Sequence, residues 1–274
     1  MSTSPIPLAG VIGAPVAHSL SPRLHGHWLA RTGVRGHYVP MHVEADDLAA
    51  VLRALPQAGF RGVNVTLPHK RAVLKLANET SAAARSIGAA NTLTFLQEGG
   101  FFADNTDGAG FMASLQEGCT TWRPAGRAMV LGAGGAARAL VHALSTAGMQ
   151  VEVFNRTEAR AAELAADFPG VTAVRWQAVS DHMPGASLLV NATSLGMNGQ
   201  PELDLSLETL DTDTVVTDIV YSPLETRLLR AASARGNPVV DGLGMLLHQG
   251  APGFRRWFGA EPVIDAATRE AVLA

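Results

Sequence analysis

The chain has 274 residues, 47% hydrophobic and 16% charged, which is enough for one large domain or two ordinary ones, and two is the expectation. A net charge of -3, with no long run of one sign, gives no electrostatic reason to expect nucleic acid or a membrane surface as partner, so small molecules are the default. The single cysteine, Cys119, excludes an internal disulfide and a cysteine-cluster metal site and suits a reducing cytoplasm.

The amino terminus, MSTSPIPLAG, has no basic segment followed by an apolar core, so it does not read as a secretory signal, and no later apolar run is long enough to span a bilayer. LAGVIG, HYVPMHV and GVNVTL then read as short strands. They alternate with helical patterns such as DDLAAVLRAL, where Leu48, Val51, Leu52 and Leu55 share a face. That alternation predicts an α/β unit with parallel strands. The third strand runs into LPHK: Asn64 and Thr66 share one face, Pro68 ends the pairing, and Lys70 starts a helix. Taken singly, such residues more often cap a helix or face solvent. AANTLTFLQEGGFFADNTDG reads as two strands turning at Gly99 and Gly100.

The pattern restarts at RAMVLGAGG, runs through QVEVFN, SLLVNAT and TVVTDIVY, and closes at NPVVDG. From Leu243 a broad apolar stripe through Leu246, Leu247, Phe254, Trp257 and Phe258 is expected to pack back on the first unit. The predicted division is 1–106 together with a C-terminal helix at 243–274, and 107–242.

In AMVLGAGGAARAL, a strand, a glycine turn and a helix start, Gly132, Gly134 and Ala137 fit the G-x-G-x-x-A dinucleotide fingerprint. Gly132 permits the turn, Gly134 lets backbone approach a pyrophosphate, and Ala137 lets the helix lie close to the sheet. Ala133, Gly135 and Ala136 complete the loop. Where an NAD enzyme carries an acidic residue after the second strand, this chain reads NRTEAR. Arg156 and Arg160 project from one face of a helix start, Thr157 adds a hydroxyl and Asn155 precedes them, a set that favours the 2′-phosphate of NADP. Without the fingerprint, Asn155 or Thr157 would read as a helix cap and both arginines as solvated.

Oxidising a secondary alcohol with a nicotinamide requires a positioned acid/base group. Lys70 can serve, and Asp107, in ADNTDGAG, is the candidate partner whose charge would favour the ammonium.

The segments GAPVAHSLSPRLH, GVNVTLPHK, GAANTL, DNTDGAGF, GAGGAARA, FNRT, NATSLGM, DIVYSPLETRLL and GLGMLLHQGA together resemble the shikimate dehydrogenase family, in order and over nearly the whole chain. The resemblance implies an N-terminal α/β substrate domain and a Rossmann-type NADP-binding domain across a cleft. It also implies NADPH-dependent reduction of 3-dehydroshikimate to shikimate, in the cytoplasm, by a monomer or homodimer. Lys70 and Asp107 would be the catalytic pair, and Asn64, Thr66 and Asn91 the binders of the ring hydroxyls. Ser19 and Ser21 would hold the substrate carboxylate with Tyr221, and Gln249 would also face substrate. Thr193, Ile219, Gly242 and Met245 would line the cofactor. Ser21 also reads as a helix cap with Pro22 in the first turn.

Two departures from the family pattern stand out: Gly26 in place of the asparagine after SPxxH, and Pro252, predicted to kink or break the final helix just beyond Gln249. His25 and His27 lack an acidic or cysteine cluster, so no metal is assigned. His18 and His69 flank the site as supporting or exposed residues. The rivals are a quinate/shikimate dehydrogenase, a non-catalytic NADP sensor, and glutamyl-tRNA reductase, the last disfavoured by the position of Cys119 and by the lack of a basic extension.

Overall fold

A computed structural model describes residues 6–274; the amino-terminal stretch read above begins outside the described residues. The backbone divides into two compact units, residues 1–106 with 246–274, and residues 107–245.

The first unit holds strands β1 (Leu8–Gly13), β2 (His37–His42), β3 (Phe60–Val65), β4 (Glu79–Thr80), β5 (Thr92–Phe95) and β6 (Phe101–Asp104). Its helices are α1 (Ser21–Thr32), α2 (Leu48–Ala54), α3 (Lys70–Leu76) and α4 (Ala82–Ile87). The sheet order is β2-β1-β3-β5-β6-β4. β1 pairs in parallel with β2 and β3, as the alternating pattern predicts, but β5 lies antiparallel between β3 and β6. The sheet is therefore mixed, because a short hairpin turning through Gly99 (φ 94°) and Gly100 (φ 76°) cannot supply a parallel crossover.

The second unit comprises α5 (Asp107–Gly118), β7 (Arg127–Leu131), α6 (Gly135–Thr146), β8 (Gln150–Asn155), α7 (Glu158–Ala166), β9 (Val171–Arg175), α8 (Val179–His182), β10 (Ala186–Asn191), β11 (Val215–Asp218), α9 (Arg227–Ala234) and β12 (Val239–Val240). Its strands are all parallel, in the order β12-β11-β10-β7-β8-β9, a doubly wound arrangement of the Rossmann type. The central strands are nearly continuous runs of buried residues, as expected where helices cover both faces.

The C-terminal segment expected as one helix over 243–274 is two, α10 (Leu243–Phe258) and α11 (Ala266–Leu273). Gly259, at φ 69°, follows the last residue of α10. The break expected at Pro252 is absent: α10 continues through it. An interior proline costs about 3 kcal/mol. Beyond it, Phe254, Trp257 and Phe258 are buried, each stabilising the helix by roughly 1.5–3 kcal/mol, so packing outweighs the lost hydrogen bond. Trp257 donates its Nε1–H to the carbonyl of Leu93 at 3.0 Å. That approach to the sheet is possible because residue 62 is glycine: a Cβ there would stand 2.1 Å from both the Leu93 oxygen and Trp257 Nε1. Gly26 does not interrupt α1, and a side chain at that position would meet nothing within 4 Å.

Candidate active site

In the first unit, three loop segments at the ends of β3, β5 and β6 are tied by backbone hydrogen bonds. Val65 donates to the carbonyl of Asn91 (2.8 Å), Ala90 to that of Lys70 (2.8 Å), and Asn91 to that of Asp104 (3.0 Å). Lys70 is the first residue of α3 and half-buried.

Asn64 and Asn91 are 5% and 2% exposed, so each of their polar atoms needs a partner. Asn64 Oδ1 accepts from the Tyr38 hydroxyl at 2.7 Å, and its Nδ2 reaches the Asn91 carbonyl and Thr92 Oγ1, both at 3.2 Å. Asn91 Nδ2 donates to Thr106 Oγ1 (3.0 Å) and to Gln249 Oε1 (3.1 Å), while its Oδ1 accepts the Thr106 N–H (2.9 Å). The Thr106 hydroxyl contacts the Gln249 carbonyl at 2.8 Å. The predicted substrate residues Asn64, Asn91 and Gln249 are thus members of one network, joined through Thr92 and Thr106.

Those two threonines and Tyr38 were not singled out from the sequence. Thr92 and Thr106 stand inside the quoted GAANTL and DNTDG segments, each beside a residue that was, and only the pairing of β5 with β6 shows that both reach Asn91. Thr66 follows β3 and donates its backbone N–H to the Ile12 carbonyl at 2.8 Å; its hydroxyl has no partner among the described residues.

Ser21 is not the helix cap. The chain is already helical at Leu20 (φ -84°, ψ -5°), so Ser21 is the first helical residue and lacks the extended backbone a capping hydroxyl requires. Its N–H instead donates to Ser19 Oγ at 3.3 Å. The buried Ser21 hydroxyl has no partner among the described residues, which leaves it available to an acceptor.

His69 is buried with Nε2 2.7 Å from the Val43 carbonyl, a structural contact, and His18 is exposed. His25 is fully buried, stacked on Tyr38 at 3.9 Å between ring centroids, and neither of its ring nitrogens has a hydrogen-bond partner among the described residues. Burial among aromatic rings pushes its pKa down to about 3. No group of three or more His, Cys, Asp or Glu side chains among the described residues is placed to hold a metal.

In the second unit, the fingerprint glycines stand between β7 and α6. Gly132 has φ 112°, and a Cβ on it would lie 2.8 Å from the Ala192 carbonyl oxygen; Gly134 faces open space. Gly134 is the N-cap of α6 and supplies no capping side chain, so the first amides of the helix, at Gly135, Ala136 and Ala137, are directed toward whatever occupies the turn. Ala133 is the half-buried residue between the two glycines.

At the end of β8, Asn155 Nδ2 donates to the Thr157 carbonyl at 2.9 Å, and Thr157 is the N-cap of α7 without a side-chain capping bond. Arg156 and Arg160 are exposed, with no side-chain partner among the described residues. A glycine turn with room for a pyrophosphate and two unpaired guanidinium groups one strand away fit the phosphates of NADP.

Thr193, Ile219, Gly242 and Met245 lie at or just beyond the ends of β10, β11 and β12. The Thr193 hydroxyl donates to Asn191 Oδ1 at 2.7 Å and accepts the Leu195 N–H at 3.0 Å, so it shapes its own loop. Gly242 packs on the neighbouring loop: a Cβ there would be 2.6 Å from the carbonyl oxygens of Ile219 and Val220. Met245 is buried and Tyr221 half-buried. Asp107, the first residue of α5, is 4% exposed.

The fold and these two sets of residues define an α/β oxidoreductase with one dinucleotide-binding unit. Comparison with known proteins narrows the class. Residues 11–93 match the shikimate dehydrogenase substrate binding domain, 122–198 the shikimate / quinate 5-dehydrogenase family, and 242–273 the shikimate 5'-dehydrogenase C-terminal domain. The shikimate dehydrogenase (NADP(+)) of Roseobacter denitrificans is 57% identical, and that of Dinoroseobacter shibae 56%, with the whole of both chains aligned in each case. The shikimate 5-dehydrogenase of Thermus thermophilus, solved in complex with NADP(H) and shikimate, superposes with a TM-score of 0.88 at 42% identity, over 98% of this chain and 99% of that one. A quinate dehydrogenase from Corynebacterium glutamicum, solved in complex with NAD, gives 0.89 at 34% identity over 98% and 99%. The chain belongs to the shikimate dehydrogenase family.

Proposed function

We propose that this chain catalyses the reversible NADPH-dependent reduction of 3-dehydroshikimate to shikimate, a step toward chorismate and the aromatic amino acids. It works in the cytoplasm as a monomer or homodimer. The observation that carries the reading is the bonded set Asn64, Asn91, Thr106 and Gln249 beside Lys70, in a chain that also has the glycine turn and, at Arg156 and Arg160, guanidinium groups without a side-chain partner among the described residues. No helix among the described residues is long and apolar enough to cross a membrane.

Bound NADP supplies the acceptor or donor of a hydride; the proton is left to the protein. In the oxidising direction, the Lys70 amine takes the proton of the reacting hydroxyl, and in the reducing direction its ammonium delivers one to the carbonyl oxygen. Asp107 is the second member of the catalytic pair. Asn64, Thr66 and Asn91 hold the ring hydroxyls. Neighbouring side chains orient Asn64 and Asn91 before the ring arrives, which limits the reorganisation needed to bring the reacting hydroxyl to Lys70. The Ser19 and Ser21 hydroxyls, with Tyr221, hold the carboxylate as neutral donors, and Gln249 closes the ring of contacts.

Gly132, Ala133, Gly134, Gly135 and Ala136 hold the pyrophosphate. Arg156 and Arg160, with Asn155 and Thr157, hold the 2′-phosphate. Thr193, Ile219, Gly242 and Met245 line the nicotinamide end.

The test is absorbance of the reduced cofactor across four pairings, shikimate or quinate with NADP⁺ or NAD⁺. Shikimate with NADP⁺ is expected to be far the fastest. Quinate carries an extra hydroxyl on the carbon bearing the carboxylate, which must fit beside Ser19 and Ser21 or lose its hydration without a partner. Comparable quinate rates would move the assignment to a bifunctional quinate/shikimate enzyme. No turnover by folded, NADP-binding protein would leave a non-catalytic sensor.

A further inference from the structure

Asp218 closes β11 and is 0% exposed, yet the three hydrogen-bond partners of its carboxylate among the described residues are all neutral. Its Oδ1 accepts from Asn191 Nδ2 and from the Val220 N–H, both at 3.0 Å, and its Oδ2 from the Thr226 hydroxyl at 2.8 Å. A carboxylate buried without a cation is costly, and a leucine would serve a core better. Desolvation pushes its pKa up to about 6 even though all three donors act to lower it.

What the carboxylate holds lies on both sides of β11. Asn191 is the last residue of β10, and it passes the constraint on: its Oδ1 accepts both the Thr193 N–H (3.1 Å) and the Thr193 hydroxyl (2.7 Å), and its Nδ2 also reaches the Leu195 carbonyl (3.0 Å). Its own carbonyl accepts the Ile219 N–H at 3.1 Å. The loop after β10 abuts the phosphate turn, since a Cβ on Gly132 would meet Thr193 Cγ2 at 3.1 Å. The loop after β11 abuts Gly242, three residues before Met245, through the carbonyls of Ile219 and Val220. One carboxylate therefore anchors two loops that wall the carboxyl ends of β7, β10 and β11, the edge at which a doubly wound sheet binds its ligand.

We propose that Asp218 is a positioning residue for the nicotinamide half of the cofactor, acting through Asn191 on Thr193 and through Val220 on Ile219. The proposal rests on the NADP reading of the second unit. Charge-assisted hydrogen bonds are the stronger kind, and here they hold two loops in fixed register before any ligand arrives. Asp218 makes no hydrogen bond to the glycine turn or to Arg156 and Arg160, so its effect reaches the loops after β10 and β11 first and leaves the adenine end least disturbed.

That split is the test. Apo protein is titrated calorimetrically with NADP⁺ and with adenosine 2′,5′-bisphosphate, a probe that reaches only the adenine end. Asp218→Ala is expected to raise the Kd of NADP⁺ about ten-fold or more while leaving that of the bisphosphate within about two-fold, by analogy with the loss of other outer-shell anchors. Asp218→Asn keeps an oxygen for Asn191 and Val220 and can donate to Thr226 Oγ1, so it should retain most of the affinity. A cycle with Thr193→Val should show strong coupling between the two positions. Should Asp218→Ala not fold, Thr226→Ser keeps the α9 cap and the Oδ2 bond as a control, while Thr226→Val removes both the Oδ2 partner and the cap on the Leu229 N–H and should give a smaller loss with the same split.

Equal weakening of both ligands, or additive effects in the cycle, would make Asp218 a purely structural residue and overturn the proposal. Failure of the wild-type chain to bind either ligand would instead bring down the cofactor reading, and the proposal with it.

Discussion

The polar residues of the first unit and the glycine-turn end of the second are built on opposite plans. Asn64, Thr92, Asn91, Thr106 and Gln249 are bonded to one another, largely buried and uncharged. Arg156, Arg160 and the first amides of α6 carry positive charge or partial charge and have no side-chain partner among the described residues. Under the proposed function, the difference follows from the ligands. A polyhydroxylated ring is selected by shape and hydrogen-bond pattern, which demands donors and acceptors fixed in advance. A phosphate is held by charge, which exposed guanidinium groups supply without prior order, though salt screens them.

The largest expected effect tests the chemistry beside the bonded network. Lys70→Ala should lower turnover by roughly 10²–10⁴-fold, the range for losing a positioned acid/base, with a much smaller change in shikimate binding. A loss seen in binding alone would reduce Lys70 to a contact. Arg156→Ala probes the charged plan: NADP⁺ affinity should fall about 10- to 100-fold, with NAD⁺ nearly unaffected, as removal of a charge-assisted hydrogen bond predicts. If both cofactors weaken equally, the arginine contacts something they share.

The two plans also differ in what they contribute to stability. Asn91→Ala leaves the buried Thr106 N–H without its acceptor and should destabilise the fold by roughly 1–3 kcal/mol in urea unfolding. Arg156→Ala should change stability by less than about 0.5 kcal/mol. Similar losses from both substitutions would erase the contrast.

His25 gives the smallest effect at neutral pH and a distinct one in acid. The folded chain keeps it neutral to about pH 3, whereas in the unfolded chain it protonates from its ordinary value of 6.5. Stability that is full above that value is therefore lost as the pH falls from 6.5 toward 3, by at most about 1.4 kcal/mol per pH unit. In His25→Leu the difference between unfolding midpoints at pH 7 and pH 5 should shrink. An unchanged difference would place the acid sensitivity elsewhere.

Much of this protein was legible in its sequence because its signals are local. A glycine turn between an apolar strand and a helix needs no distant partner to be recognised, and neither do arginines in place of an acidic residue at the end of β8, or the polar residues that end β3. Local spacing also offered a cap at Ser21, beside its role as a carboxylate binder, and a kink or break at Pro252; the cap and the break are absent. The entry of α1 is instead set by a chain already helical at Leu20, and α10 is held past its proline by the burial of Phe254, Trp257 and Phe258.

What only the tertiary structure decided are the contacts between residues far apart in the chain. Asn91 meets Gln249, 158 positions away, and Asn64 meets Tyr38 across 26. Asp218 is shown as an anchor only once β10 and β11 lie side by side and bring Asn191 to its carboxylate. Composition and periodicity choose which residues leave water; which buried polar atoms then pair depends on strand order and register, and no single segment encodes either.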